Sequence, residues 1–98
     1  MVNNMEPVLN AMKKSVLVNG RELRLTPKEY GILAFLMQNP GVVYSSEEIY
    51  RNAWHMEPYD CKGLISVHVR HIREKIEQDP RHPQFLLLKW GFGYCYRA

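Results

Sequence analysis

Apolar positions along this 98-residue chain follow three rhythms. Up to Leu25 they come in short bursts, Val8-Leu9 and Val16-Leu17-Val18, and then alternate with polar residues over 21–25, the period of half-buried strands. Between the second and third runs sits Asn19-Gly20, a strong hairpin signal because both central residues of a type I′ turn need positive φ. An earlier turn falls near Lys13-Lys14. The opening is therefore expected to be a small antiparallel sheet, preceded by a polar, fraying segment at residues 1–6.

The second rhythm is helical. Thr26 can cap a helix, Pro27 suits its first turn, and Glu29 completes a capping box. That helix should run to about Asn39, where Pro40-Gly41 stops it. Tyr30, Leu33, Ala34 and Met37 form one stripe, while Ile32, Phe35 and Leu36 lie on other sides. Burial on more than one face follows, and the helix is expected between the sheet and the other helices. Val42-Val43-Tyr44 reads as an extended link. A second capping box, Ser45 to Glu48, opens a helix to about Trp54 whose apolar side is Ile49, Tyr50, Ala53 and Trp54. Residues 55–62, with Pro58, form a loop.

A third helix should span 63 to about 78. Ile65, Val69, Ile72 and Ile76 recur at i, i+4, i+7 and i+11, which makes one narrow apolar stripe. Opposite it stand Val67, Arg70 and His71, with His68 and Lys75 on one flank and Arg73 on the other. After a loop at 81–83, residues 85–88 and 94–97 read as strands paired in a hairpin around the turn Trp90-Gly91-Phe92-Gly93. The pattern predicts an α+β winged helix-turn-helix: an N-terminal antiparallel sheet (1–25), a three-helix core (26–79) and a C-terminal β-hairpin wing (80–98), all in one domain of residues 1–98.

Charge sharpens this picture. The net charge is +3, and residues 1–49 are balanced at five basic and five acidic side chains. Residues 50–98 carry eight basic and five acidic side chains and all four histidines, so the whole excess lies with the third helix and the wing. Such asymmetry points to a polyanion. No apolar run approaches the roughly 20 residues of a membrane span, and residues 1–7 lack the regions of a signal peptide. A cytoplasmic location is expected, with Cys61 and Cys95 as reduced thiols.

The third helix could be an ordinary solvated surface helix. Against that stands Val67, an outward β-branched residue that burial does not explain but a thymine methyl would. Arg70 and Arg73 suit phosphate and guanine contacts, and because both lie off the apolar stripe their removal is expected to cost the fold little. His68 and His71 could touch one metal ion, but Glu74 is the only further ligand at suitable spacing, so no metal or cofactor is expected. Trp54 can be read as core or as contact. Trp90, at a turn, is expected to meet a partner, and Phe92, between glycines, to pack under the hairpin. No phosphate loop, nucleophile elbow or paired carboxylates suggest an enzyme.

In detail the chain resembles the C-terminal DNA-binding domains of OmpR/PhoB-type two-component response regulators. The resemblance rests on Leu25-Thr26-Pro27-Lys28-Glu29-Tyr30, Val43-Tyr44-Ser45-Ser46-Glu47-Glu48-Ile49, Trp54, the run from Val67 to Ile76, and Trp90-Gly91-Phe92-Gly93-Tyr94. The sub-pattern of basic helix and wing is similar to that of glycopeptide-resistance regulators. The resemblance implies that the third helix enters the major groove, with Leu64, Val67 and His71 at base-reading positions. It places His68, Arg70, Arg73 and the Trp54 indole N–H at phosphates. It further implies RNA polymerase as a partner of the loop bearing His55, Glu57, Tyr59 and Asp60. A head-to-tail dimer on a direct-repeat operator and an upstream receiver domain follow from the same likeness. Three positions depart from the family pattern. Gly63 stands where a phosphate-binding arginine is common, with Lys62 as a substitute. Ser66 replaces an acidic residue. Trp90 replaces the arginine that enters the minor groove, so packing on sugar and phosphate is expected, with Lys89 as second wing candidate. The competing reading is a winged-helix protein-interaction module without specific DNA binding.

Overall fold

The computed structural model describes residues 5–98, so the fraying expected at residues 1–4 lies outside the described residues. Glu6 is not frayed. Its carboxylate accepts hydrogen bonds from the Tyr96 hydroxyl and, at 3.1 Å, from Arg97 Nη2. Strands β1 (Val8–Asn10), β2 (Ser15–Val18) and β3 (Arg21–Arg24) form an antiparallel sheet in that order. Asn19 and Gly20 both have positive φ, 50° and 82°, as the β2–β3 turn requires.

Helices α1 (Pro27–Gln38) and α2 (Ser46–Trp54) each begin with the capping box read from the sequence, Thr26 with Glu29 and Ser45 with Glu48. Helix α3 (Lys62–Ile76) starts after Cys61, whose side chain makes no cap. The hairpin is β4 (Leu86–Lys89) and β5 (Gly93–Tyr96), with Leu86 opposite Tyr96 and Lys89 opposite Gly93. Helix α1 packs on α2, α3 and β5, so it is buried on several sides as expected, but it does not lie between the N-terminal sheet and the other helices: the sheet meets the helices chiefly through β2 on α3. The core gathers Val16, Leu25, Ile32, Leu33, Leu36, Ile49, the α3 stripe, Phe85 and Leu86, all buried. Cys61 and Cys95 are buried free thiols.

Two boundaries differ from expectation for one reason. Helix α3 stops at Ile76, not near Gln78, and β4 starts at Leu86 rather than Phe85. Glu77 leaves the helix in extended backbone (φ −92°, ψ 142°), and its buried carboxylate accepts the backbone N–H groups of Gln84, Phe85 and Leu86. A buried carboxylate needs such donors, and the returning chain supplies them. Phe85 thereby gives its N–H to Glu77 and keeps one bond across the hairpin, its carbonyl accepting from the Arg97 N–H at 2.8 Å.

The wing is fixed at its base. Tyr44 forms an antiparallel bridge with Tyr94, each N–H donating to the other's carbonyl at 2.9 Å. At Gly93 (φ 148°) a Cβ would stand 2.0 Å from the Tyr44 carbonyl oxygen, so only glycine allows this approach.

Candidate nucleic-acid interface

Helix α3 is amphipathic in the sense its sequence demanded. Ile65, Val69, Ile72 and Ile76 are buried, and the opposite side is open. Leu64 and Val67 each expose 42% of their surface, too much for core residues, and Arg70 is exposed between them and the helix end. Lys62 and Gly63 are exposed at the helix entrance, and a Cβ on Gly63 would meet nothing within 4 Å. The entrance therefore offers a cation and open space.

The flanks are organised by contacts between elements. On one, Tyr50 and Trp54 stack at the end of α2 with centroids 4.7 Å apart, and the His68 ring stands edge-on to Trp54 at 5.3 Å. His68 Nδ1 lies 2.9 Å from the Leu64 carbonyl, so Nδ1 carries the proton and Nε2 remains for an outside partner. Lys28 of α1 donates to the Ala53 carbonyl at 3.1 Å and sits 5.0 Å over the Trp54 ring. Among the described residues the Trp54 indole N–H has no partner and is not sealed from solvent, so it can donate outward. Trp54 is thus partly packed against the core, with its N–H left open.

His71 turns elsewhere. Its Nδ1 is 3.9 Å from Oε2 of Glu29, whose Oε1 accepts from Lys75 Nζ at 2.6 Å and from the Thr26 N–H at 2.9 Å. Burial alone would raise the Glu29 pKa. Lys75 and the Thr26 amide outweigh it, with His71 adding to them, and hold the carboxyl below the usual glutamate range. One carboxylate thus caps α1, anchors α3 and faces the inner nitrogen of His71. Sequence reading found only the capping role, because nothing local links Glu29 to residues on α3.

Arg73 corrects an expectation. Lying off the apolar stripe, it was expected to be removable without cost to the fold. Instead its Nε donates to the Leu86 carbonyl at 3.0 Å, its guanidinium lies 5.9 Å from the Tyr94 ring centroid, and Nη2 is buried with no hydrogen-bond partner among the described residues. Burial pulls its pKa below the usual arginine value, opposed by Tyr94 and Glu77. Arg73 ties α3 to the wing. Phe92 is a second correction. It does not pack under the hairpin but is 78% exposed at the wing tip, beside a Trp90 that is 87% exposed. Gly91 (φ 81°) turns the chain so that Phe92 N–H donates to the Lys89 carbonyl at 2.9 Å, which points the ring away from the sheet.

The α2–α3 loop is exposed over residues 55–60 except at Pro58. His55 (φ 56°) and Asp60 (φ 49°) take left-handed backbone, and Tyr59 is 93% exposed. Glu57 lies 3.6 Å from Arg51.

Residues 20–96 match the family model described as transcriptional regulatory protein, C terminal. The chain belongs to this family. A transcriptional regulatory protein of Bacillus subtilis strain 168, YcbL, is 46% identical over 80 residues, covering 82% of this chain and 35% of that protein. The regulatory protein VanR of Enterococcus faecium is 36% identical over 88 residues, covering 89% of this chain and 38% of that protein. The chain thus spans about a third of the length of the curated relatives it matches. Among solved structures, the Thermotoga maritima response regulator DrrB, an OmpR/PhoB homologue, superposes with a TM-score of 0.82 at 26% identity, over 97% of this chain and 44% of that one. The winged helix-turn-helix expected from the sequence is the fold of this OmpR/PhoB-type family. Among the described residues no helix is long and apolar enough to cross a membrane.

Proposed function

We propose that this chain binds double-stranded DNA sequence-specifically, as the output domain of a two-component response regulator that adjusts transcription. The observation that carries this reading is α3 itself: a helix anchored by four buried residues on one side, with Leu64, Val67 and Arg70 open on the other. Such a helix fits a major groove. Leu64, Val67 and His71 read base edges. Lys62, Arg70 and the Trp54 N–H meet phosphates, as does His68 through Nε2 once that nitrogen also carries a proton, while Arg73 acts from beneath by holding the wing to α3. Lys89 meets the phosphate backbone beside the minor groove, and Trp90 packs on the sugars there. Membership of a transcriptional regulator family supports the same role.

The remainder of the reading concerns the whole regulator. Relatives more than twice as long leave room for a receiver domain upstream, whose phosphorylation would pair two output domains head to tail on a direct repeat. The exposed loop of His55, Glu57, Tyr59 and Asp60 then faces RNA polymerase, in the cytoplasm. No catalytic chemistry is assigned.

Selection of bound DNA from a random duplex pool tests the function. Enrichment of one motif, repeated in the same orientation, is the expected result. A pool that remains random after several rounds contradicts sequence-specific binding and favours a protein-interaction module.

A further inference from the structure

The wing tip carries two large aromatic side chains that the fold does not use. Trp90 and Phe92 flank Gly91, and among the described residues neither ring stacks on another or lies under a cation. Nor can the tip fold back to bury them. Its base is clamped by the Tyr44–Tyr94 bridge, by Gly93 against the Tyr44 carbonyl, and by Arg73 on Leu86. Water is a poor surrounding for two such rings, and exposed apolar patches of this kind mark contact sites.

The position of the patch says what covers it. Phe92 and the exposed Leu88 line a single groove with Lys62 and Ser66 of α3, so the tip is continuous with the proposed DNA-reading face. Glu47 lines the same groove and offsets Lys62 there, but Lys89, next to Trp90 in the chain, adds a second cation, so the surroundings of the rings stay net positive and favour a polyanion. No cation stands at the tip itself, so a narrow minor groove offers it no electrostatic anchor. What the tip offers is apolar area and two flat faces.

We propose that Trp90 and Phe92 form an apolar wedge that enters the minor groove beside the segment read by α3 and bends the duplex there. The inference rests on the DNA-binding reading above. Rings pressed on deoxyribose and partly between base pairs lose their exposure to water. The cost is unstacking a step, and such wedges kink DNA by about 20–90°. Pyrimidine–purine steps unstack most readily, so the wing reads step flexibility instead of base edges. It adds specificity at positions where no side chain makes a hydrogen bond.

The test uses the pool-selected duplex, anisotropy for affinity and end-to-end energy transfer for bending. Both rings are exposed, so Trp90→Ala and Phe92→Ala should fold as the parent, checked by circular dichroism. Each should lose affinity by about tenfold, the scale of one lost stacking contact. The salt slope should stay unchanged, because no phosphate contact is lost. Bending should fall in each variant and nearly vanish in the double variant. Exchanging a TA step under the wing for AA should weaken the parent but not the double variant. Unchanged bending in the double variant overturns the wedge. So does unchanged affinity, which would assign the rings to a protein partner, or a salt slope reduced by about one unit, which would make Trp90 a phosphate contact only. A parent that binds no duplex overturns the DNA-binding reading and the wedge with it, whereas a parent that binds but does not bend overturns the wedge alone.

Discussion

Replacing Arg73 by alanine should destabilise the domain although no apolar core residue is touched. The Arg73 Nε donates to the Leu86 carbonyl at 3.0 Å, and Leu86 is fully buried at the start of β4. A hydrogen bond from a charged donor contributes about 1.5–3 kcal/mol, and removing the donor leaves a buried carbonyl unsatisfied. The arginine stem and its contact with Tyr94 are lost as well. Against these stands relief of the buried, unpartnered Nη2. Together they suggest a loss of about 2 kcal/mol, a large share of the roughly 5–15 kcal/mol of a typical domain. Arg70→Ala serves as control. Arg70 is exposed on the same helix, so its loss should stay within about 0.5 kcal/mol. Urea melts of both variants, followed by circular dichroism, read the difference directly. Overlaid transitions for Arg73→Ala and the parent would refute the tether and return Arg73 to the free, phosphate-facing role read from the sequence.

Gly63→Arg should raise DNA affinity with little change in stability: the position is open, the gain from replacing glycine is offset by a cation in the first turn of α3, where the helix dipole disfavours it, and one added phosphate contact should steepen the salt slope by about one unit. Lower affinity in a salt titration would show that the duplex does not pass the helix entrance. Lys75→Met removes the principal partner of Glu29 and should cost about 1–3 kcal/mol at neutral pH, less than a fully buried pair because Lys75 is partly exposed. Glu29 has a depressed folded pKa, so its contribution is present above the ordinary glutamate value of about 4.3 and is lost as pH falls through the lower folded value. The gap between parent and Lys75→Met melts should therefore narrow as pH drops from about 6 to about 3, and a gap constant with pH would disprove the coupling. His71→Ala should relax discrimination between selected and scrambled duplexes by about 1–3 kcal/mol; equal losses on both would make His71 a backbone contact.

The regular elements were legible because their signals are local. Two capping boxes, Asn19-Gly20 and the four-residue stripe of α3 each act within a few residues, and each stands where the sequence put it. The departures arise where a side chain works across elements. Glu77 ends α3 because it binds N–H groups that return seven to nine residues later. Glu29 joins α1 to α3 across 46 residues, and Lys28 meets Trp54 from another helix. Arg73 lies off the apolar stripe yet is half buried, because the hairpin closes over that flank. Phe92 was misplaced because the Gly-Phe-Gly spacing fixes a turn but not which side of it the ring takes. The exposed face of α3 could be read because burial of one stripe dictates the other.

The central claim is that the open face of α3 grips DNA. The measurement that meets it most directly is the salt dependence of affinity for the selected duplex, in the parent and in Arg70→Ala. The expected result is a log–log slope of several units in the parent, about one unit shallower in Arg70→Ala, with both proteins melting alike. A parent slope near zero, or identical slopes and affinities in the two proteins, would contradict the assignment of α3 as the DNA-reading helix.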